Sequence, residues 1–205
     1  MSRYANVAYT TCVRKVQEEQ GSARAATHAL LDDGPDPLTA AEAGFISERD
    51  GCYVASVGET GWPYVQFRGG PPGFVHVLDE HTLAFADVRG NRQYITTGNL
   101  RGDNRVALFF MDYARQRRLK VFGRARTVEL ADDPELAERV QSVRTDGRPE
   151  RIVVIQVEGL NWNCAQHITP RYSEVELSAA LQPVRDRISR LERENQQLRE
   201  ALARR

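Results

Sequence analysis

A close succession of short β-rich runs between Cys52 and Val128 restricts this chain more than any other feature. Cys52–Val57, Trp62–Phe67, Phe74–Leu78, Thr82–Ala86, Arg105–Met111 and Leu119–Val128 are rich in β-branched and aromatic residues. Gly58-Glu59-Thr60-Gly61 and Asp79-Glu80-His81 separate neighbouring runs as hairpin turns. A further run, Arg151–Val157 (RIVVIQV), is apolar through its centre and reads as a buried strand. Many short strands with little helix between them favour a barrel or sandwich. Helices flank them. Thr39 with Glu42 three residues on has the pattern of a capping box, before a short helix to about Glu48. Another helix is expected over Pro134–Val143. Ahead of both, Asn6–Leu31 reads as one polar helix, ended by Asp32-Asp33-Gly34-Pro35-Asp36-Pro37.

At 205 residues the chain is long enough for one cored domain with extensions. Composition narrows the function classes. Lys+Arg and Asp+Glu are both 28, so the zero net charge argues against a generally basic nucleic-acid binder. Cys12, Cys52 and Cys164 are odd in number and scattered. They make neither a disulfide framework nor a zinc site, and Cys52 and Cys164 read as small buried hydrophobes. No histidine has metal-ligand spacing, so no metal is expected. No apolar run approaches the roughly 18–20 residues of a membrane span, and the N-terminus lacks an apolar signal core. A soluble cytoplasmic protein is the expectation, with no membrane or nucleic-acid partner.

Charge is uneven within that zero sum. From Phe85 to Arg126 there are nine arginines and one lysine, against Asp87, Asp103 and Asp112. Ten less three is +7, a field that suits an anionic ligand. Within it, Arg89-Gly90-Asn91-Arg92-Gln93 is a turn after a strand, and a short helix is expected over Gln93–Thr97, capped by Asn91 and stopped by Gly98. Strand, turn and helix start present free N–H groups to a phosphate, and Arg92 adds a charge-assisted bond. The glycine spacing is neither a dinucleotide fingerprint nor a P-loop, and a plain capped connector fits the pattern equally well. A second feature is the strand Trp62–Arg68 running into Gly69-Gly70-Pro71-Pro72-Gly73, where a flat ligand can approach main chain; a simple β-turn also explains it.

The C-terminal 181–205 is of another kind. Leu181, Ile188, Asn195 and Leu202 take heptad position a, and Val184, Leu191 and Leu198 take d. In a parallel pair Arg187 faces Glu192 and Glu194 faces Arg199, and a single Asn at a specifies register. With Pro183 in the first helical turn, the coil is expected over 184–202. The domain boundaries read as 1–37, a helical extension; 38–180, the β-rich domain; and 181–205, the coiled-coil helix.

The segments FADVRGNRQYITTGNLRGDNRVALFF and RRLKVFGRARTV resemble the pyridoxamine 5′-phosphate oxidase-like family of FMN-binding split β-barrels. The counterparts are Asn91-Arg92-Gln93, then Asp103-Asn104-Arg105-Val106, then Gly123-Arg124-Ala125. The resemblance covers about Leu38 to Tyr172. It implies a mainly β fold with flanking helices, a homodimer, FMN at its interface, and flavin-dependent oxidoreduction of a small molecule. NADH or NADPH is the candidate donor; a deazaflavin coenzyme or haem is the alternative ligand, and a non-enzymatic flavin-binding module the alternative role. Carried over by position, Arg92 binds the FMN phosphate, with Asn91 and Gln93 beside it. Gln66, Phe67, Arg68 and Gly69 line the ring, and Ala86 and Asp87 contact the flavin. Arg118 contacts it from the facing subunit, and Trp162 matches an aromatic over the ring. Two departures stand out. The family's Arg-Lys pair is Arg92-Gln93 here, and the stretch Trp162–Arg171 lacks the Arg/His spacing of the true oxidase. Both speak against pyridoxamine phosphate as substrate.

Overall fold

A computed structural model describes residues 3–23, 34–143, 147–162 and 166–204. The expected helix reaching Leu31 lies partly outside the described residues, and Cys164, expected as a buried hydrophobe, lies wholly outside them. The chain divides into two compact units, Met1–Asp112 with Arg117–Gln166, and Tyr113–Gln116 with His167–Arg205.

The first unit is built on seven antiparallel strands: β1 Gly51–Val57, β2 Pro63–Gly69, β3 His76–Asp79, β4 Thr82–Val88, β5 Arg105–Asp112, β6 Arg117–Glu129 and β7 Pro149–Trp162. Their order is β2-β1-β5-β6-β7-β4-β3. This seven-stranded antiparallel sheet with flanking helices is a split barrel. Alternation decides what each strand buries. On β1, Cys52, Val54 and Ser56 point inward while Tyr53, Ala55 and Val57 point out. The barrel interior gathers Val54, Leu83, Phe85, Leu108, Phe110, Val121 and Ile155, with Phe45 and Ile46 as a plug. Fully burying each such side chain stabilises by about 1.5–3 kcal/mol.

β4 and β7 carry apolar residues on both faces because both are covered. Their second face, with Ala84, Ala86, Ile152 and Val154, packs under Ala137 and Val140 of helix α5, Pro134–Gln141. The alanines leave room for the helix backbone. β7 runs on to Trp162, past the expected end at Val157, because β6 pairs with it all the way from Glu129↔Arg151 to Leu119↔Trp162.

Helices close the ends of the sheet. α3, Ala40–Ser47, begins with the expected capping box: Thr39 and Glu42 bond each other's backbone reciprocally. In place of one continuous helix from Asn6, the described residues form α1 Arg3–Ala8 and α2 Thr11–Glu19, with a break between them. Thr10 is extended and its hydroxyl accepts from Val13 N–H at 3.4 Å, which restarts the helix instead of continuing it. Asp36, in the Pro-rich breaker, is buried. Its carboxylate accepts the N–H groups of Arg3 (2.6 Å), Tyr4 (3.1 Å) and Leu160 (2.9 Å), tying α1 to β7. Gly159 permits this approach, since a Cβ there would meet Tyr4 N at 2.5 Å.

The second unit contains helix α6, Glu174–Ala203, capped by Ser173 with Glu176. It starts ahead of the expected position and carries Pro183 inside, so the proline sits mid-helix rather than in the first turn. In the same unit Gln116 Nε2 donates to Ile168 O at 2.7 Å, and Arg171 lies 5.1 Å over the Tyr113 ring. Among the described residues no helix is long and apolar enough to cross a membrane.

Candidate functional site

The two ends of the strand order approach each other without pairing their backbones. β2 lies at one end and β4 next to the other. Side chains bridge them, and a cleft of about 190 Å³ opens there. Tyr64, Gln66 and Arg68 of β2 form one wall, since these alternate residues face inward. Asp87 and Val88 end β4 on the opposite wall. The turn from Gly90 to Tyr94, the first turn of helix α4 (Ile95–Gly102) and Glu150 of β7 complete the lining.

Charge organises the floor. Asp87 is buried, and its carboxylate lies between two guanidiniums: it accepts from Arg68 Nη1 at 2.9 Å and pairs with Arg151 Nη1 at 3.5 Å. Removing an ion from water costs several kcal/mol, which two partners offset better than one. Arg151 also donates to Thr97 Oγ1 at 3.1 Å and lies 5.1 Å over the Tyr94 ring. Tyr94 donates its hydroxyl to Glu150 at 3.2 Å. Arg68 keeps one donor unspent: its Nε is buried and has no hydrogen-bond partner among the described residues. A buried N–H without an acceptor is costly, so a ligand oxygen there would be favoured.

The turn beside it is unusual in backbone. Arg92 and Tyr94 both have positive φ, +62° and +52°. Such left-handed residues are uncommon outside glycine and cluster at binding sites. They end the possibility of a helix from Gln93, so α4 starts at Ile95, continues through Gly98 and ends at Gly102, with Asp103 as its C-cap. Asn91 caps the turn rather than the helix, accepting from Gln93 N–H at 3.1 Å. Tyr94, in the cap position of α4, makes no side-chain cap bond. First-turn N–H groups are therefore left for another acceptor, at the positive end of the helix dipole. The Tyr94 hydroxyl beside Arg92, with Glu150 farther off, holds the exposed Arg92 guanidinium above its ordinary range. An exposed cation beside helix-start N–H groups without a side-chain cap is an arrangement whose charge suits an anion.

The cleft brings together Gln66, Arg68, Asp87, Asn91, Arg92 and Gln93. Five other residues singled out from the sequence lie elsewhere. Phe67 is on the outer face of β2, edge-on to Tyr53 at 5.4 Å, and Gly69 ends that strand beneath the Phe67 ring. Ala86 is packed between β4 and α5. Arg118, on β6 opposite Met111, has a buried Nε with no partner among the described residues. Trp162 ends β7. Its indole N–H donates to Glu42 at 2.6 Å, its ring meets Phe45 edge-on at 4.7 Å, and Arg117 covers it at 4.6 Å. Tyr64, Tyr94, Thr97, Glu150 and Arg151 join the site without being marked as site residues in the sequence. In the sequence the buried strand begins at Arg151, and neither it nor Glu150 takes a site role. The pairing Asp87↔Arg151 across β4 and β7 is what brings them in.

Fold and site thus define a class: a split barrel with an arginine-lined cleft where its two ends meet. Residues 38–162 match the sequence model of the pyridoxamine 5′-phosphate oxidase family, more than half of the chain. The chain belongs to that family. No curated protein matches it. Among solved structures, HupZ of Group A Streptococcus is similar at 19% identity over 65% of this chain and 98% of that one, with a TM-score of 0.50. An FMN-binding protein from Syntrophomonas wolfei is 10% identical over 75% of this chain and 97% of that one (TM-score 0.47), and a FAD-binding protein from Mesorhizobium loti is 18% identical over 62% and 94% (TM-score 0.45). The HupZ likeness shows the fold.

Proposed function

We propose that this chain binds FMN at the seam and works as an FMN-dependent oxidoreductase on a small molecule, as a homodimer in the cytoplasm. The observation that carries the reading is that Arg68, whose buried Nε has no partner among the described residues, lines the same cleft as Arg92 and the uncapped start of α4. Family membership supports the same ligand class. The residues present fit such a group. Arg92, Asn91, Gln93 and the α4 first turn would hold the phosphate, and Arg68 and Gln66 would meet oxygens or nitrogens farther along.

Bound FMN supplies hydride acceptance and electron delivery; the protein supplies binding, orientation and electrostatics. Arg151 fixes Asp87, and Asp87 fixes Arg68, so that the Arg68 guanidinium is held still against the ligand. Tyr94, held by Glu150 and stacked under Arg151, sets the turn that carries Arg92. A cleft of about 190 Å³ is smaller than the roughly 300 Å³ at which sites for cofactor-sized ligands begin. A facing copy would complete it.

The test is reconstitution of purified protein with FMN, followed by the visible spectrum and flavin fluorescence. Flavin uptake, bleaching with NADH or NADPH, and affinity at least tenfold weaker in Arg92→Ala are expected. Uptake of a deazaflavin or haem instead of FMN would replace the cofactor; uptake unaffected by Arg92→Ala would remove the phosphate assignment. Pyridoxamine phosphate should yield no hydrogen peroxide at a useful rate.

A further inference from the structure

We propose that α6 pairs with α6 of a second copy of this chain as a parallel, in-register, two-stranded coiled coil. The helix is continuous from Glu174 to Ala203, and none of its residues is buried. That continuity lengthens the apolar stripe read from the sequence. Leu177 falls one step of four before Leu181 and takes the preceding d position, so the alternation of four and three runs unbroken from Leu177 to Leu202. Along it, Val184 is 53% exposed, Ile188 50% and Leu202 69%. Large apolar side chains in a single row along a 30-residue helix want a partner of the same shape.

The surface has the form of a coiled-coil hole. Ile188, Leu191, Glu192 and Asn195 surround an open recess, the a-d-e-a set that receives a d-position knob from a facing helix. In a parallel pair in register, that knob is the second copy's own Leu191. Pro183 lies at position c, away from the seam, so its missing N–H and its ring do not interrupt the contact.

Three features select a second copy and its direction. Asn195 is the one polar core position, and only parallel in-register pairing sets it beside another Asn195, where each amide satisfies the other. Arg187 then faces Glu192, and Glu194 faces Arg199, so both flanking pairs attract. Antiparallel pairing would bury Asn195 against a leucine or valine and bring Arg185 towards Arg199. The pairing is independent of the flavin reading, since no residue of α6 lines the cleft.

The test uses the full chain with Cys12→Ser and Cys164→Ser, leaving buried Cys52 in place. Leu198→Cys, at d, and Glu200→Cys, at f, are each oxidised with glutathione disulfide and run without reductant. At least tenfold more covalent dimer from Leu198→Cys than from Glu200→Cys is expected. Antiparallel helices with Arg185 by Arg199 would hold the two thiols introduced at position 198 about 18 Å apart, at about 1.5 Å of rise per residue. Equal cross-linking at the two positions, or none at 198, overturns the proposal, and none would be the result if α6 served a different protein.

Discussion

Asp87 shows how a single buried carboxylate governs a site. It joins Arg68 to Arg151, and each guanidinium does something further: one lines the cleft, the other steadies Tyr94 and Thr97. Asp87→Ala leaves two partly buried cations facing each other. We expect a loss of about 3–5 kcal/mol of stability, read as a lower urea midpoint at unchanged slope. Replacing Asp87 with Leu together with Arg68→Met should recover much of it. Glu42 supplies a second residue-scale test. Burial raises its pKa, but the Thr39 hydroxyl, the Trp162 indole N–H and backbone N–H groups outweigh it, and the net direction is down. A depressed carboxylate contributes stability above its unfolded pKa and loses it as pH falls through the folded value. Glu42→Gln should therefore cost about 1–2 kcal/mol at pH 7 and progressively less below about pH 4, measured by denaturation at a series of pH values. At this scale the sequence is partly readable. Arg92 stands out because charge, turn and helix start coincide there. Arg151 does not, because a cation at the head of an apolar strand carries no mark of its partner. The positive φ of Tyr94 has no signature in a residue that is neither Gly nor Asn.

Gly123 carries its meaning at the scale of the strand pair. It sits at the register shift between β6 and β7, and a Cβ there would meet Gln156 O at 2.7 Å and Ile155 Cγ2 at 2.8 Å. Backbone cannot yield as a side-chain tip can. Gly123→Ala should destabilise by about 1–3 kcal/mol, with a fall in melting temperature as the readout. The neighbouring Asp103–Arg105 stretch belongs to the same device: Asn104 O accepts from Ala125 N–H at 2.7 Å, and the Asn104 side chain accepts from Arg124 at 3.1 Å. The two recognisable motifs are thus two halves of one packing arrangement. Strands are legible because alternation and turn residues agree, and α3 because its capping box is local chemistry. The start of α4 and the break at Thr10 are not. Both depend on a single backbone residue whose conformation composition does not record. β7 reads short because Glu158, Gly159 and Asn161 look like turn residues until β6 is laid beside them.

At the scale of the whole molecule, β5, β6 and β7 form ladders on both sides, whereas among the described residues β2 pairs only with β1. The far edge of β2 is held to β4 by Arg68 and Asp87 alone among the described ion pairs. Strands bonded on one edge open locally at lower free energy than those bonded on two. Backbone amides of β2 should exchange with deuterium at least tenfold faster than those at the centre of β6, and FMN should slow β2 far more than β6. Equal slowing of both strands would place the ligand elsewhere. If β2 does respond, the molecule behaves as a hinged flap whose latch is also its ligand contact. The guanidinium that shuts the barrel is the one a bound molecule would grip. Admission of a ligand and unfastening of the sheet are then a single movement, and a variant that welds the flap shut gains rigidity only by slowing its own loading.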